Sequence, residues 1–467
     1  MAIVNLDHTA LRAGPRDGAQ QQALLTAGDV VEIRGERMNY LQVYDHRRER
    51  AGYIRADRLH RMQLSNDAAP ALLEVLRHLR DQPGAEALGL AYAAAWIQAA
   101  PAEQLKGVDG LDAFDALGTL AERLARRASL GLAAGKPGEA AATEQLEAAA
   151  YLGIAFKSYE QGGRMHICYT GDAFQRVLAA DPRLERRATA ALALTRAECT
   201  DHAISLQERA RLNEQRAELL DRVATDSLPP WLKNRLLLRR ASVWSSVAFA
   251  RARSGDASAA AAAERALGEL ASVAKSELPD EYLPDYNDAA MRANAVRWAA
   301  LPPAAAPTRL SVVTTKGQPG ETCVALLDVE HDVTKPLLAR CTYGMVWTAS
   351  AAVDKRGSAL ALAVQPLDGW RELWVFRMRD GAWAVDVLPP TAGDPGLGYI
   401  EFAGWAPNGS QMLIAREARS EGKYRRSFEV LDTATLAVQH QAPEPAGLAV
   451  FQRWQDALWK RASVALR

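Results

Sequence analysis

No charge of either sign dominates this 467-residue chain. Lys and Arg together number 56, as do Asp and Glu, for a formal net charge of zero. That balance removes the electrostatic argument for a nucleic-acid or anionic-membrane partner. Lys is scarce beside Arg, which reflects base composition rather than function. No apolar run is long enough to span a bilayer, so no transmembrane segment is expected. H-E-x-x-H and G-x-S-x-G are both missing, and no other pattern rises to a catalytic signature. No signal peptide precedes the first strand-like run, Ala2-Ile3-Val4-Asn5-Leu6. Such a start fits a cytosolic chain or a mature secreted chain with an added Met.

Cysteine is sparse too, at four residues, but the four fall into two local sets. Cys323 and Cys341 lie in two apolar runs, Thr322 to Val329 and Pro336 to Thr342. A hairpin centred near Asp332 would place them directly opposite each other, in reach of a cross-strand disulfide. Cys168 and Cys199 flank two expected helices, Asp172 to Ala180 and Pro182 to Ala197, whose antiparallel pairing would bring the outer ends together. Paired cysteines belong to oxidising compartments, and they favour the secreted or periplasmic reading over the cytosolic one.

What is abundant is helix-forming sequence. With 49% hydrophobic and 24% charged residues, the chain is of the globular type, and its length predicts roughly two to four domains. From about Asn66 to Leu301 it is rich in Ala, Leu, Glu, Arg and Gln, which lose little side-chain entropy in a helix. Ser205 with Glu208 fits a capping box, and Leu212, Leu219, Leu220 and Val223 then share a face. Ser227-Leu228-Pro229-Pro230 breaks the period. The next helix carries Leu236, Val243 and Val247 on one stripe, with Leu237, Trp244 and Ala248 beside it. Such stripes need partners, so 66–301 is expected to be a helical bundle or helical-repeat domain.

Short β-rich runs separated by turn clusters mark residues 1–64: Ala2 to Leu6, Val30 to Ile33, Tyr40 to Tyr44 and Gly52-Tyr53-Ile54. Beyond Leu301-Pro302-Pro303 and Ala304 to Pro307, read as a linker, the period turns from helical to alternating. Strands are expected at Cys323 to Leu327, Ala359 to Val364, Leu373 to Phe376, Ala382 to Leu388, Met412 to Ala415 and Ser427 to Leu431. The fold class is thus multidomain α+β, with sheet modules at 1–64 and 308–467 around the helical middle.

Three resemblances attach to these segments. Leu11-Arg12-Ala13-Gly14-Pro15, Ala27-Gly28-Asp29, Tyr40-Leu41-Gln42-Val43 and Gly52-Tyr53-Ile54 followed by Leu59 resemble the bacterial SH3 (SH3b) domain, a small β-barrel. Tyr40 stands where that family often has Trp. The resemblance implies a binding or spacing module of cell-envelope proteins. Thr170-Gly171-Asp172-Ala173-Phe174, with Val177, Leu178 and Asp181-Pro182, resembles the second helix of a tetratricopeptide unit. No firm period of about 34 residues accompanies it. Phe402 to Leu413, with Val430-Leu431-Asp432 and Thr435-Leu436, resembles a blade of TolB-like and WD-type propellers. Ala351 to Gly357 begins a second copy. About three blade-like units fit after Thr308, fewer than the roughly four of a closed propeller. An open, twisted antiparallel array is the alternative. Seven of the eleven tryptophans lie here, read as core residues between blades rather than a stacking surface.

The candidate binding residues are Tyr40, Tyr44, Arg47, Arg48, Arg50 and Tyr53. The three arginines read as a hairpin turn near Arg55, Arg58 and Arg61, either a solvated edge or an anionic docking patch. His166, Cys168, Cys199 and His202 offer ligand types that zinc takes, but not in a standard spacing. A disulfide ranks first there, free thiols second, zinc third. Ser272 and Lys275 match S-x-x-K without its companion motifs. Gly131 to Lys136 departs from a phosphate loop in its glycine spacing and at Pro137. Asp280, Glu281, Asp285 and Asp288 lack the calcium-loop pattern and fit helix capping.

These observations point to a non-enzymatic extracytoplasmic binding or scaffolding protein of the cell envelope. It needs no cofactor or metal, and its partner is a protein or peptide, a cell-wall peptide included. The alternatives are an envelope hydrolase or transferase targeted by the N-terminal module, and a cytosolic adaptor with a helical groove.

Overall fold

Alternation builds the first sheet. In the computed structural model, which describes residues 1–134, 140–161, 163–201, 203–301, 309–393, 395–420, 422–457 and 459, the chain opens with seven strands. They are β1 (Ala2–Val4), β2 (Thr9–Arg12), β3 (Gln21–Leu25), β4 (Val30–Arg37), β5 (Tyr40–Asp45), β6 (Arg50–Arg55) and β7 (Leu59–Arg61). Their order is β3-β2-β6-β5-β4-β1-β7. Leu11, Val31, Leu41, Val43 and Ile54 point to one side and are fully buried. Where the sequence suggests a barrel, the pairing is an open sheet, and its edge strands carry polar or charged residues (Gln21, Gln22, His60, Arg61) that resist further pairing.

Helices follow: α1 (Ala69–Arg80), α2 (Glu86–Ala99), α3 (Val108–Ala134) and α4 (Ala140–Tyr151). α2 is apolar all round, as suits a central helix, and buries Leu90, Tyr92 and Trp96. The first sheet is seated on these helices. Gly28, at φ +89°, lies so close to the Ala87 carbonyl that a Cβ would approach its oxygen to 2.6 Å. Gln145 Nε2 donates to both oxygens of Asp7, at 3.0 and 2.9 Å. A hairpin interrupts the helical run, β8 (Phe156–Gln161) and β9 (Arg164–Tyr169), followed by α5 (Ala173–Ala180) and α6 (Leu184–Leu194). Between these two helices, buried Asp181 accepts a bond from the Arg183 amide at 2.9 Å. Arg77, Arg183 and Arg186 converge on Asp112, each at 2.6 Å, and tie α1, α3 and α6 together.

The chain divides into two units, residues 1–205 with 219–228, and residues 206–218 with 229–467. The division falls within α7 (Leu206–Asp221), which begins one residue after Ser205. In the second unit α8 (Pro230–Ser254) starts at the proline pair. It ends on Gly255, at φ +73°, whose N–H returns to the Ala252 and Arg251 carbonyls. α9 (Ala259–Ala271) and α10 (Leu283–Val296) pack on it. α10 accommodates Pro284 in its first turn, where a missing N–H costs nothing.

Strands complete this unit. β10 (Ser311–Lys316), β11 (Thr322–Leu327) and β12 (Leu338–Thr342) form one meander. β13 (Met345–Val353), β14 (Ala359–Leu367), β15 (Trp370–Arg379) and β16 (Ala382–Leu388) form a second. β17 (Leu397–Trp405), β18 (Gln411–Ser420), β19 (Lys423–Asp432) and β20 (Val438–Ala442) form a third. A short parallel contact, Trp370 to Gly398 and Arg371 to Tyr399, joins the last two meanders into one sheet. All other pairing is antiparallel. Trp347, Trp370 and Trp374 are core residues, and Trp459 packs with Phe451, from α11 (Ala449–Trp454), against Phe428. Trp383, Trp405 and Trp454 are half-buried. Among the described residues no sheet closes on itself and no helix is long and apolar enough to cross a membrane. The linker residues Pro302 to Pro307 lie outside the described residues.

Candidate binding face

Strand parity assembles the candidate site. Along β5, Leu41 and Val43 face the core, which sends Tyr40, Gln42 and Tyr44 to the opposite side. β6 places Arg55 beside Tyr40 and Tyr53 beside Gln42. β2 brings Arg12 beside Tyr53, and β4 brings Glu32 beside Tyr44. One face of the sheet therefore carries three tyrosines, an amide and several guanidinium groups.

Each tyrosine has a different environment. The Arg34 guanidinium lies 4.0 Å from the Tyr44 ring centroid, and His46 meets the ring edge-on at 4.8 Å. Glu32 accepts from Arg34 at 3.2 Å and meets His46 Nε2 at 3.0 Å. Those two hydrogen bonds keep its carboxyl below the usual range. Tyr40 is buried, although on the outer side, because its hydroxyl donates to Asp17 from the loop between β2 and β3. That bond lowers the Asp17 pKa and raises that of the Tyr40 phenol. Arg55 approaches the same carboxylate at 3.3 Å, and Arg12 Nη1 donates to the Ala19 carbonyl at 3.1 Å. Tyr44, Tyr53 and Gln42 remain half-exposed.

Arg47 and Arg48 lie in the turn between β5 and β6, as expected, and Arg50 opens β6, but their guanidinium groups are engaged rather than solvated. Arg47 and Arg48 fold back onto buried Asp29, at 3.1 and 3.0 Å, and Arg48 also meets Asp45 at 2.9 Å. Ion pairing to carboxylates that cannot reach water outweighs solvation of the two guanidinium groups. Arg50 donates to the Gln22 carbonyl at 2.7 Å and bridges to β3. Tyr40, Tyr44 and Tyr53 thus share a face that Arg47, Arg48 and Arg50 do not join. Gln42 was readable from alternation, but Arg12 reaches the face only through the distant β2–β6 pairing. The face offers ring surfaces and N–H donors, the elements of polar peptide recognition.

The remaining sequence candidates resolve simply. Cys168 and Cys199 form a disulfide with a Cα separation of 5.8 Å, and Cys323 and Cys341 form another at 3.8 Å. Both sulfurs of the first set are thus committed to each other, not to zinc; His202 lies outside the described residues. Glu321 sits near the second pair, whose sulfurs are likewise shared. Cys168 is on a strand rather than at a helix end, because the hairpin occupies the segment before α5. Ser272 donates its hydroxyl to the Gly268 carbonyl at 2.9 Å, whereas Lys275 sits 4.9 Å from the Tyr286 ring, so the S-x-x-K residues make separate contacts. Asp285 lies in the first turn of α10, and Asp288 accepts from the Tyr424 hydroxyl at 2.8 Å and from Arg419. Lys136 and Pro137 lie outside the described residues.

A buried polar knot in the second unit has no periodic trace in the sequence. Glu401 accepts from Asn294 Nδ2 at 2.9 Å, from Trp459 Nε1 at 3.0 Å and from Arg371, with Arg297 at 3.3 Å. Arg297, Arg371, Asn294 and Glu401 are all at most 2% exposed. Burial lowers the Arg371 pKa to about 10 despite Glu401. The knot lies under α10 and joins it to β15, β17 and the C-terminal segment. No family model, curated protein or solved structure matches the chain.

Proposed function

We propose that this protein is a non-catalytic, extracytoplasmic binding or scaffolding protein of the bacterial cell envelope, which recognises a protein or peptide partner through the outer face of its first sheet. The observation that carries the reading is the cluster of Tyr44, Tyr53 and Gln42, half-exposed and flanked by Arg12, Arg34 and Arg55. Rings with few rotatable bonds, beside fixed donors, bind at low entropic cost. The SH3b resemblance of residues 1–64 supports the same use and adds cell-wall peptides to the candidate partners. Two disulfides support an oxidising compartment. On this reading the three C-terminal meanders are propeller-like blades, and the helices between them and the first sheet form a helical-repeat-like bundle.

The test is a pull-down from envelope extract with the wild type and with the double variant Tyr44→Ala, Tyr53→Ala. The wild type is expected to enrich a partner that the variant loses, with the far-ultraviolet circular dichroism of the two unchanged. Identical bound fractions from the two proteins would refute the face.

A further inference from the structure

The two disulfides sit in unlike surroundings. Cys168 is 1% exposed, whereas Cys341 is exposed and Cys323 half-buried. Cys341 lies on β12, at the edge of the three-stranded sheet. Val324 and Leu326 of β11 enter the core, so alternation turns Cys323 to the outer side. Thr315, Cys323 and Cys341 stand in one row across β10, β11 and β12, and Thr315 is exposed as well.

The ladder itself sets the cysteines against each other. The Gly317 amide donates to the Glu321 carbonyl at 3.1 Å, in phase with the pairing of Thr315 and Cys323. The Leu337 amide donates to the Leu326 carbonyl at 2.9 Å, in the opposite phase. Cys323 thus directs its backbone groups to β10 and meets Cys341 at a non-hydrogen-bonded position, where opposed side chains come closest. The flanking pairs, Thr322 with Thr342 and Val324 with Arg340, belong to the ladder and do not depend on the sulfurs. The thiols of an opened bond therefore stay opposed.

A carboxylate stands beside them. One oxygen of Glu321 lies within 4.8 Å of both sulfurs, and Glu321 Oε2 accepts from the Gln318 amide at 3.0 Å. Gly317 leaves room for this approach, since a Cβ there would meet Glu321 Oε2 at 2.5 Å and Cys323 Sγ at 2.9 Å. Negative charge at this range disfavours a thiolate.

We propose that Cys323–Cys341 is a thiol–disulfide exchange site, which oxidises thiols arriving from solvent and recloses on the same ladder. An accessible disulfide is the exchangeable kind, a buried one the structural kind. The incoming thiolate attacks Sγ of Cys341, the more exposed sulfur. A mixed disulfide forms there, the Sγ–Sγ bond breaks, and its electron pair leaves on Cys323, which takes a proton from water. A second thiolate attacks the incoming sulfur, releases Cys341 as a thiolate and departs in the disulfide of the two thiols. Two thiols are oxidised and one disulfide is reduced, and a small disulfide reverses the sequence. Glu321 slows both directions, because charge develops on sulfur beside it. This site does not depend on the tyrosine face.

The test uses the full, oxidised chain at neutral pH without denaturant. Reduced glutathione is the probe, and acid quenching, alkylation and peptide mapping follow each disulfide separately. Cys323–Cys341 is expected to open at least about tenfold faster than Cys168–Cys199, with the transient glutathione adduct on Cys341. Oxidised glutathione is then expected to restore the pair, with circular dichroism unchanged throughout. Glu321→Gln should speed opening severalfold and move the pH dependence of reclosure to lower pH. The proposal is overturned if the two disulfides open at equal rates, if opening occurs only when urea unfolds the chain, or if the opened pair fails to reclose. An adduct on Cys323 alone would overturn the order of attack, and an unchanged pH profile in Glu321→Gln would overturn the role given to Glu321.

Discussion

Glu401 shows what one buried carboxylate does here. It sits among two arginines, an asparagine and an indole N–H, all sequestered from water. Removing one partner from such a group leaves uncompensated charge, typically at a cost of about 3–5 kcal/mol. Glu401→Ala is therefore expected to lower the unfolding free energy of the second unit by that order, read from a lower urea midpoint at unchanged slope, while an exposed control such as Glu444→Ala leaves it unchanged. Glu417 behaves differently. Burial is the largest influence on it and raises its pKa from 4.5 to about 7, against the Tyr399 hydroxyl at 2.8 Å and the nearby Arg426 and Lys275. Glu401 adds to the rise. The folded state thus holds this proton more tightly than the unfolded chain does. The resulting stabilisation is full below pH 4.5 and is lost as pH rises through about 7. Thermal unfolding from pH 5 to 8 should show a fall in midpoint that Glu417→Gln flattens; equal slopes for the two proteins would contradict the assignment.

At the scale of elements, period and turn chemistry made much of the architecture readable. Ala382 to Leu388 was delimited by alternation alone and is β16. The run lengths around Asp332 placed Cys323 opposite Cys341, and the β11–β12 register has that pair. The proline pair set the start of α8. The β8–β9 hairpin was missed because twelve strand residues are embedded in alanine-rich helix; Gly162-Gly163 was the available turn signal. Of the binding face, the parity of Tyr40 and Tyr44 was readable. The return of Arg47 and Arg48 to Asp29 was not, since ion pairing across 18 and 19 residues leaves no periodic trace. Two substitutions test the element-level account. Gly28→Ala combines a positive φ with a clash on the Ala87 carbonyl, and it should cost more than about 1 kcal/mol in chemical denaturation. The double variant Cys323→Ser, Cys341→Ser frees a pair 18 residues apart and should lower the stability of the second unit by about 2–4 kcal/mol.

The whole molecule pairs two units, each with sheet and helix and each carrying one disulfide. Residence outside the cytoplasm is the premise of the envelope reading, because a reducing compartment would keep these thiols apart. The most direct measurement is peptide mapping by mass spectrometry of the protein from its native host, with free thiols alkylated at lysis and no reductant added. The account predicts linked peptides for Cys168 with Cys199 and for Cys323 with Cys341. Four alkylated cysteines would contradict it.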